Sequence, residues 1–186
     1  MLDYDARMTT GFDVAVILRR EAIAGPMARW QSHRWVLHDV VADEGAWGTQ
    51  ARALRQDADL SLWVHPGFRA DLFRDDAEGY YLNVTSPKPC WFVLWRMDEV
   101  AGQPEPIAVP QMVSLSYHDA GRWLDAQETV EQVPAPEAVV SAMRVFALAH
   151  WTPEPKKRQR PQSFQALTDR FGQPARVSTD KHHGGQ

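Results

Sequence analysis

The stretch that decides the fold is C-W-F-V-L-W-R-M at residues 90–97. Successive side chains of a β-strand point to opposite faces, and both faces of this stretch are apolar, with Trp91 and Val93 on one face and Cys90 and Phe92 on the other. A strand that is apolar on both faces is buried on both sides. The stretch therefore predicts a central strand in a β-rich core.

The sequence on either side of this stretch is also strand-like. Short runs rich in Val, Leu, Trp, Tyr and Phe, separated by Gly, Pro, Asp and Asn, extend from residue 12 to residue 133. Single strands are predicted at 14–20, from Trp30 or Arg34 to Val41, and at 60–64 and 68–73 around a Pro66-Gly67 bend. Two hairpins are predicted, one pairing Y-Y-L-N-V at 80–84 with 90–97, and one pairing 112–117 with 122–130 around H-D-A-G at 118–121. Residues 45–59 fit either a helical turn or an edge strand.

The apolar period becomes helical after Pro134 and Pro136. P-E-A-V-V-S-A-M-R-V-F-A-L-A-H-W at 136–151 predicts one amphipathic helix. Strands followed by one terminal helix predict a mainly β (α+β) fold, either an antiparallel barrel or a sandwich capped by the helix, with the pleckstrin-homology type as one example. The predicted organisation is a flexible N-terminus at 1–11, a single domain at 12–151 and a tail at 152–186.

The tail differs from the domain in composition and charge. From Thr152 onward seven basic residues face three acidic ones, a net of +4, so with −4 for the whole chain the first 151 residues carry −8. The Pro- and charge-rich segment 152–162 predicts a largely disordered tail. Residues 163–171 place Phe164, Leu167 and Phe171 at helical spacing, which fits a short docking helix as the alternative.

Charge and hydropathy also narrow the classes of partner and location. An acidic domain is poorly suited to nucleic acid, whose binding depends on neutralising phosphates. The N-terminal residues lack the apolar region of a signal peptide, and the run at 14–18 is too short to span a bilayer. We therefore expect a cytoplasmic protein that binds no nucleic acid and has no membrane span.

The usual catalytic and metal-binding motifs are missing from the sequence. Cys90 is the only cysteine, so the chain can form no internal disulfide and no cysteine-based metal cluster, and its apolar neighbours predict a buried, unreactive thiol. His65, and His118 beside Asp119, could each be a catalytic base, but a turn is the simpler use of H-D-A-G. His33 and His38 are five residues apart and would point to opposite faces of a strand. We expect no catalytic residues, no metal site and no cofactor.

R-W-Q-S-H-R-W at 29–35 is the most unusual segment in composition. Its two tryptophans lie five residues apart, so on a regular strand they face opposite sides. Trp35 is predicted to enter the core together with Leu37 and Asp39 on its face, while Trp30 packs at the start of the strand. A ligand site here would require a bend or bulge.

The combination of V-A-V-I-L-R-R-E at 14–21 with R-W-Q-S-H-R-W-V-L at 29–37 resembles an uncharacterised bacterial family, domain of unknown function 3305. L-W-V-H-P-G-F at 62–68 and the stretch at 90–97 agree with it. The resemblance implies proximity to genes for molybdenum-dependent formate dehydrogenases. Some members are labelled as molybdopterin-guanine dinucleotide biosynthesis proteins, but a nucleotidyltransferase would need an α/β sheet and a glycine-rich nucleotide loop, which this chain lacks. The family offers no established catalytic residues to transfer.

Two functions follow from the sequence and the resemblance. The first is a non-catalytic accessory or protein-interaction module that assists a formate dehydrogenase, contacting a subunit or a maturation factor through Arg29, Trp30, Arg34, Phe164, Leu167 and Phe171. The second is a β-barrel that binds a small molecule or cofactor precursor, with an enzymatic role left open. In that case Arg19, Arg20 and Arg29 would meet phosphate groups and Trp30 would stack on a ring.

Overall fold

The computed structural model describes residues 10–57 and 59–153, apart from the side chain of Met27. The chain divides into two units, residues 1–152 and 153–186, and the helices and strands described below all lie in the first. The strands are β1 (Gly11–Ala22), β2 (His33–Ala42), β3 (Arg52–Gln56), β4 (Leu60–Asp71), β5 (Cys90–Asp98), β6 (Ile107–Ser114) and β7 (Thr129–Pro134). The helices are α1 (Ala77–Val84), α2 (Tyr117–Asp125) and α3 (Glu137–His150), with short 3-10 helices at Pro26–Arg29 and Arg74–Asp76.

The strands form two antiparallel sheets around one main core. Their orders are β2-β1-β4-β3 and β6-β5-β7, so β5 is the centre of its sheet, as its two apolar faces predict. The core takes residues from both sheets and from two helices: Val16, Leu18, Trp91, Val93, Tyr80 and Met143. The mainly β prediction is confirmed.

The two sheets approach each other at their edges without joining. β2 lies near β7, and β4 lies near β6, but among the described residues no ladder of backbone hydrogen bonds connects one sheet with the other. Of the two predicted arrangements, a barrel or a sandwich, the barrel is therefore wrong. At the β2–β7 edge a side chain bridges the gap, because the backbone N–H of Leu37 donates to Glu131 Oε2 at 2.5 Å.

Both predicted hairpins contain a helix instead of a strand. Y-Y-L-N-V lies in α1, where Tyr80 and Val84 reach the core one helical turn apart. The second predicted turn lies in α2, whose first turn is capped by Ser116, because the Ser116 Oγ accepts the backbone N–H of His118 at 3.2 Å. Aromatic and β-branched residues favour strands, but tertiary contacts decide the conformation of segments as short as these.

Two bulges explain the other departures from the predicted strands. The β1–β2 register shifts between Ile17 and Leu18, so that Leu37 and Val40, not Asp39, contact the main core. The Pro66-Gly67 segment is a bulge inside the single strand β4, at a second register shift. Gly67 has a φ of +84°, a left-handed conformation that glycine adopts without a steric penalty.

The two remaining elements are the short strand β3 and the helix α3. Residues 52–56 form an edge strand, so the edge-strand alternative for the 45–59 segment is correct. α3 runs from Glu137 to His150 and buries Val140, Met143 and Ala147, which share its inner face. Its Met143 and the Tyr80 of α1 belong to the same core, so the two helices pack beside the sheets.

Candidate functional site

The predicted arginines lie around the hairpin of β1 and β2 but do not converge. Arg19 and Arg34 both bind Glu21, with N–O distances of 2.8 and 2.7 Å. Hydrogen bonding by Arg34 is the main cause that lowers the pKa of Glu21. Arg20 points away from Arg19, as neighbours on a strand must, and pairs with Glu105 at 3.1 Å. The structure thus brings Arg19 and Arg34 together and places Arg20 apart from them.

Trp30 is the most exposed of the large apolar side chains in the described residues. It follows the 3-10 helix that ends at Arg29, and 85% of its surface is open to solvent, so the prediction that it packs at the start of the strand is wrong. Arg29 is also exposed and makes no ion pair within the part of the chain described here. Trp35, by contrast, is half-buried against the main core.

The other three predicted contact residues belong to the C-terminal tail. Phe164, Leu167 and Phe171 lie outside the described residues.

No group of three or more His, Cys, Asp or Glu side chains that could hold a metal ion occurs in residues 10–57 and 59–153. Across the same residues, no helix is both long enough and apolar enough to cross a membrane.

Cys90 and the His118-Asp119 pair, which the sequence offers as candidate reactive groups, are either buried or engaged at the start of α2. Cys90 is 5% exposed, and burial raises the pKa of its thiol to about 11, so it is uncharged near neutral pH. Asp119 accepts hydrogen bonds from Ser114 and Arg122, and the backbone N–H of His118 donates to the residue that caps α2. The H-D-A-G segment therefore serves the start of a helix.

His65 is buried in β4 and is 5% exposed. Its Nε2 has no hydrogen-bond partner among the described residues, and burial lowers the pKa of the imidazole to about 4. The ring is therefore neutral in the folded protein at pH 7.

We expect His65 to reduce stability by about 2 kcal/mol at pH 5 relative to pH 7. The unfolded chain binds a proton near the ordinary pKa of 6.5, whereas the folded state binds it only near pH 4, so stability falls as the pH is lowered through this window. His65→Leu should flatten the dependence when chemical unfolding is measured at both pH values. His38→Leu, which removes an exposed imidazole from β2, is the control. Equal pH dependence in His65→Leu and the parent would contradict the assignment.

A groove lies along β7, between α2 and the edge of β2. Its volume is about 530 Å³, within the range of about 300 to 1,000 Å³ typical of ligand pockets. Its lining is mostly apolar, and three of its side chains carry a polar group, namely Tyr117, Glu131 and Gln132. The lining residues are Leu37, Phe92, Tyr117, Ala120, Gly121, Leu124, Val130, Glu131 and Gln132.

Glu131 is the fixed polar group of this groove. Its Oε2 accepts the backbone N–H of Leu37 at 2.5 Å and the indole N–H of Trp95 at 3.1 Å. The second oxygen, Oε1, accepts no hydrogen bond within the described residues and is not among their fully buried, unpartnered atoms. Two donors thus hold the carboxylate in place between β2, β5 and β7.

The sequence model of the family described as protein of unknown function (DUF3305) matches residues 13–160. The chain belongs to the DUF3305 family. The resemblance inferred from residues 14–37 is therefore confirmed. Comparison with curated proteins and with solved structures gives no match. Both the hairpin with Trp30 and the groove with Glu131 lie within the span that defines this DUF3305 protein.

Sequence reasoning missed the groove. The available signal is in T-V-E-Q-V at 129–133, where Glu131 falls on the same face of β7 as Val133, which is buried in the main core. A charged residue at an inward position needs hydrogen-bond partners. Those partners, the backbone of Leu37 and the indole of Trp95, come from two other strands.

Proposed function

We propose that this DUF3305 protein is a non-catalytic accessory module that binds a protein partner through the tip of the β1–β2 hairpin. The observation that carries the proposal is Trp30, which is 85% exposed and follows Arg29, an exposed arginine that forms no ion pair with any described residue. Tryptophan and arginine are the residues most enriched among those that dominate binding energy at protein interfaces. A tryptophan left in water gains free energy when a partner covers it.

The absence of a catalytic role is supported by the state of the reactive side chains. The Cys90 thiol has a pKa of about 11 and is buried, whereas nucleophilic cysteines need a lowered pKa and access. His65 is buried without a hydrogen-bond partner for Nε2 in the described residues, whereas a general base must reach its substrate.

The partner that we propose is a molybdenum-dependent formate dehydrogenase subunit or one of its maturation factors, in the cytoplasm. The identity of this partner rests on the family resemblance, and the proposed binding surface is the tip of the β1–β2 hairpin. The pleckstrin-homology likeness also remains a prediction. Sheets of four and three strands followed by a helix support it, but no solved structure matches.

Affinity capture from the native host tests the proposal. We expect Trp30→Ser to lower recovery of the partner at least about tenfold, because truncating a central interface residue costs about 2 kcal/mol or more. Val145→Ser is the matched control, since Val145 is 71% exposed on α3. Equal recovery with the parent and Trp30→Ser, or recovery of no redox enzyme or maturation factor by the parent, would contradict the proposal.

A second function, binding of a small molecule, is favoured by the groove beside Glu131. It is not favoured by the arginines that the sequence suggested, because Arg19 is paired with Glu21 and Arg20 with Glu105. A phosphate group would have to displace those carboxylates. Small-molecule binding is therefore better sought at the groove than at Arg19, Arg20, Arg29 and Trp30.

A further inference from the structure

The tip of the β1–β2 hairpin, residues 23–32, is closed by its own backbone. The N–H of Ile23 donates to the carbonyl oxygen of Ser32 at 2.9 Å, and the 3-10 helix Pro26–Arg29 lies between them. Trp30 therefore projects into solvent from an ordered turn. A partner that covers it has little conformational entropy to remove, which favours binding.

The hairpin carries positive charge on an acidic protein. No aspartate or glutamate occurs from residue 22 to residue 38. Residues 19–38 contain four arginines and one glutamate, a net of +3, so with −8 for the first 151 residues the others among them carry −11. Pairing of Arg20 with Glu105 leaves a surplus of +2 at the hairpin. An acidic partner surface is thus attracted to the hairpin and repelled by the rest of the domain, which orients its approach.

The surplus charge comes from two places in the hairpin. One glutamate serves two arginines, because Oε1 of Glu21 binds Arg34 at 2.7 Å and Oε2 binds Arg19 at 2.8 Å. The side chain of Arg34 is still 60% exposed. Arg29 is exposed and forms no ion pair with any described residue. Guanidinium groups thus lie on both sides of Trp30 in the chain.

We propose that the protein partner receives the hairpin tip in an apolar pocket bordered by carboxylates, with Trp30 inside the pocket and Arg29 and Arg34 against its acidic edge. This inference rests on the proposed function and adds the chemistry of the partner's surface. Arginine suits such an edge, because its planar group matches a carboxylate with two parallel hydrogen bonds. A protein surface is favoured over DNA or an anionic membrane, because an extended polyanion would also face the acidic rest of the domain.

Three substitutions at exposed positions separate charge from shape. Arg29→Glu reverses the charge at the edge of the pocket and keeps the indole of Trp30. Trp30→Arg adds positive charge but removes the apolar side chain. Arg144→Glu is the matched control for net charge, because Arg144 is exposed on α3 and forms no ion pair with any described residue.

The experiment places p-benzoylphenylalanine at Gln31, an exposed residue of the tip, in the full chain and irradiates it in an extract of the native host. Salt is set at about 0.1 M and at about 1 M, between which the screening length falls from about 10 to about 3 Å. We expect the yield of the main protein adduct to fall at least about tenfold at the higher salt, in Arg29→Glu and in Trp30→Arg, but less than about twofold in Arg144→Glu. Arg29→Glu should not change the retention of the full chain on phosphatidylglycerol vesicles or on duplex DNA.

Each other outcome would overturn a stated part of the inference. An adduct whose yield is unchanged in Arg29→Glu and at the higher salt would refute the acidic edge and leave the hairpin as a protein contact. An adduct retained in Trp30→Arg would refute the apolar pocket. Retention on vesicles or DNA that Arg29→Glu abolishes would replace the protein surface with a polyanion. No adduct with the unsubstituted hairpin would contradict both this inference and the proposed function.

Discussion

Asn83→Asp is expected to lower the free energy of unfolding by about 4 kcal/mol, a large fraction of the total for a domain of this size. Asn83 is fully buried. Its Nδ2 donates to the carbonyl oxygens of Cys90 and Leu115, each at 2.8 Å, and its Oδ1 accepts the N–H of Cys90 at 3.0 Å. One side chain thus connects α1 to β5 and to the segment before α2.

Aspartate has the same shape but cannot replace these bonds. Its carboxylate has no donor for the two carbonyl oxygens, and its charge would face them in a buried site. Urea unfolding followed by tryptophan fluorescence measures the change, and Gln50→Glu, which makes the same exchange at an exposed residue, is the control. A loss of less than about 1 kcal/mol in Asn83→Asp would show that this amide does not hold the elements together.

The second large effect is expected at Glu131. Glu131→Leu should destabilise the protein by about 3 kcal/mol, because it leaves the buried indole N–H of Trp95 and the backbone N–H of Leu37 without an acceptor. Glu131→Gln should cost less than about 1 kcal/mol, since its amide oxygen accepts the same two donors.

Paired urea unfolding curves of the two variants measure this difference. The comparison isolates the role of Glu131 as the bridge between the edges of the two sheets. Equal stability of Glu131→Leu and Glu131→Gln would mean that the edges of β2 and β7 are held together by packing alone.

Much of the β structure could be predicted because its signal is local. The apolar run at 90–97 is central in its sheet, and the strand at 14–20 is present with extensions at both ends. The sequence predicts a bend at Pro66-Gly67 between two strands, but the continuation of β4 across this bulge depends on pairing with β1. Local sequence cannot show whether β1 pairs with one of the two runs, 60–64 and 68–73, or with both of them.

The helices α1 and α2 could not be predicted from the same reasoning. Y-Y-L-N-V has a composition typical of strands, and its helical conformation is stabilised by Asn83 bonding to Cys90 and Leu115, which lie 7 and 32 residues away. In α2 a local signal did exist, because Ser116 precedes a helical spacing of Tyr117, Ala120 and Leu124. The H-D-A-G turn pattern obscured it.

The candidate sites were predictable only in part. The unusual composition of residues 29–35 drew attention to Trp30. Its exposure on the hairpin fits a role in contacting a partner, whereas the predicted packing at the start of the strand would have buried it. The pairing of Arg19 and Arg34 through Glu21 depends on the register of β1 and β2. The alternation at 129–133 indicates that Glu131 faces inward, but the groove itself depends on how α2, β7 and β2 pack, which the sequence does not show.

The hairpin tip with Trp30 is proposed to bind a protein partner. Photo-crosslinking in the native host tests it most directly, with p-benzoylphenylalanine in place of Trp30 and, as the control, in place of Val145 on α3. We expect one dominant crosslinked protein at position 30 that is missing at position 145. No adduct at position 30, or the same set of adducts at both positions, would contradict it.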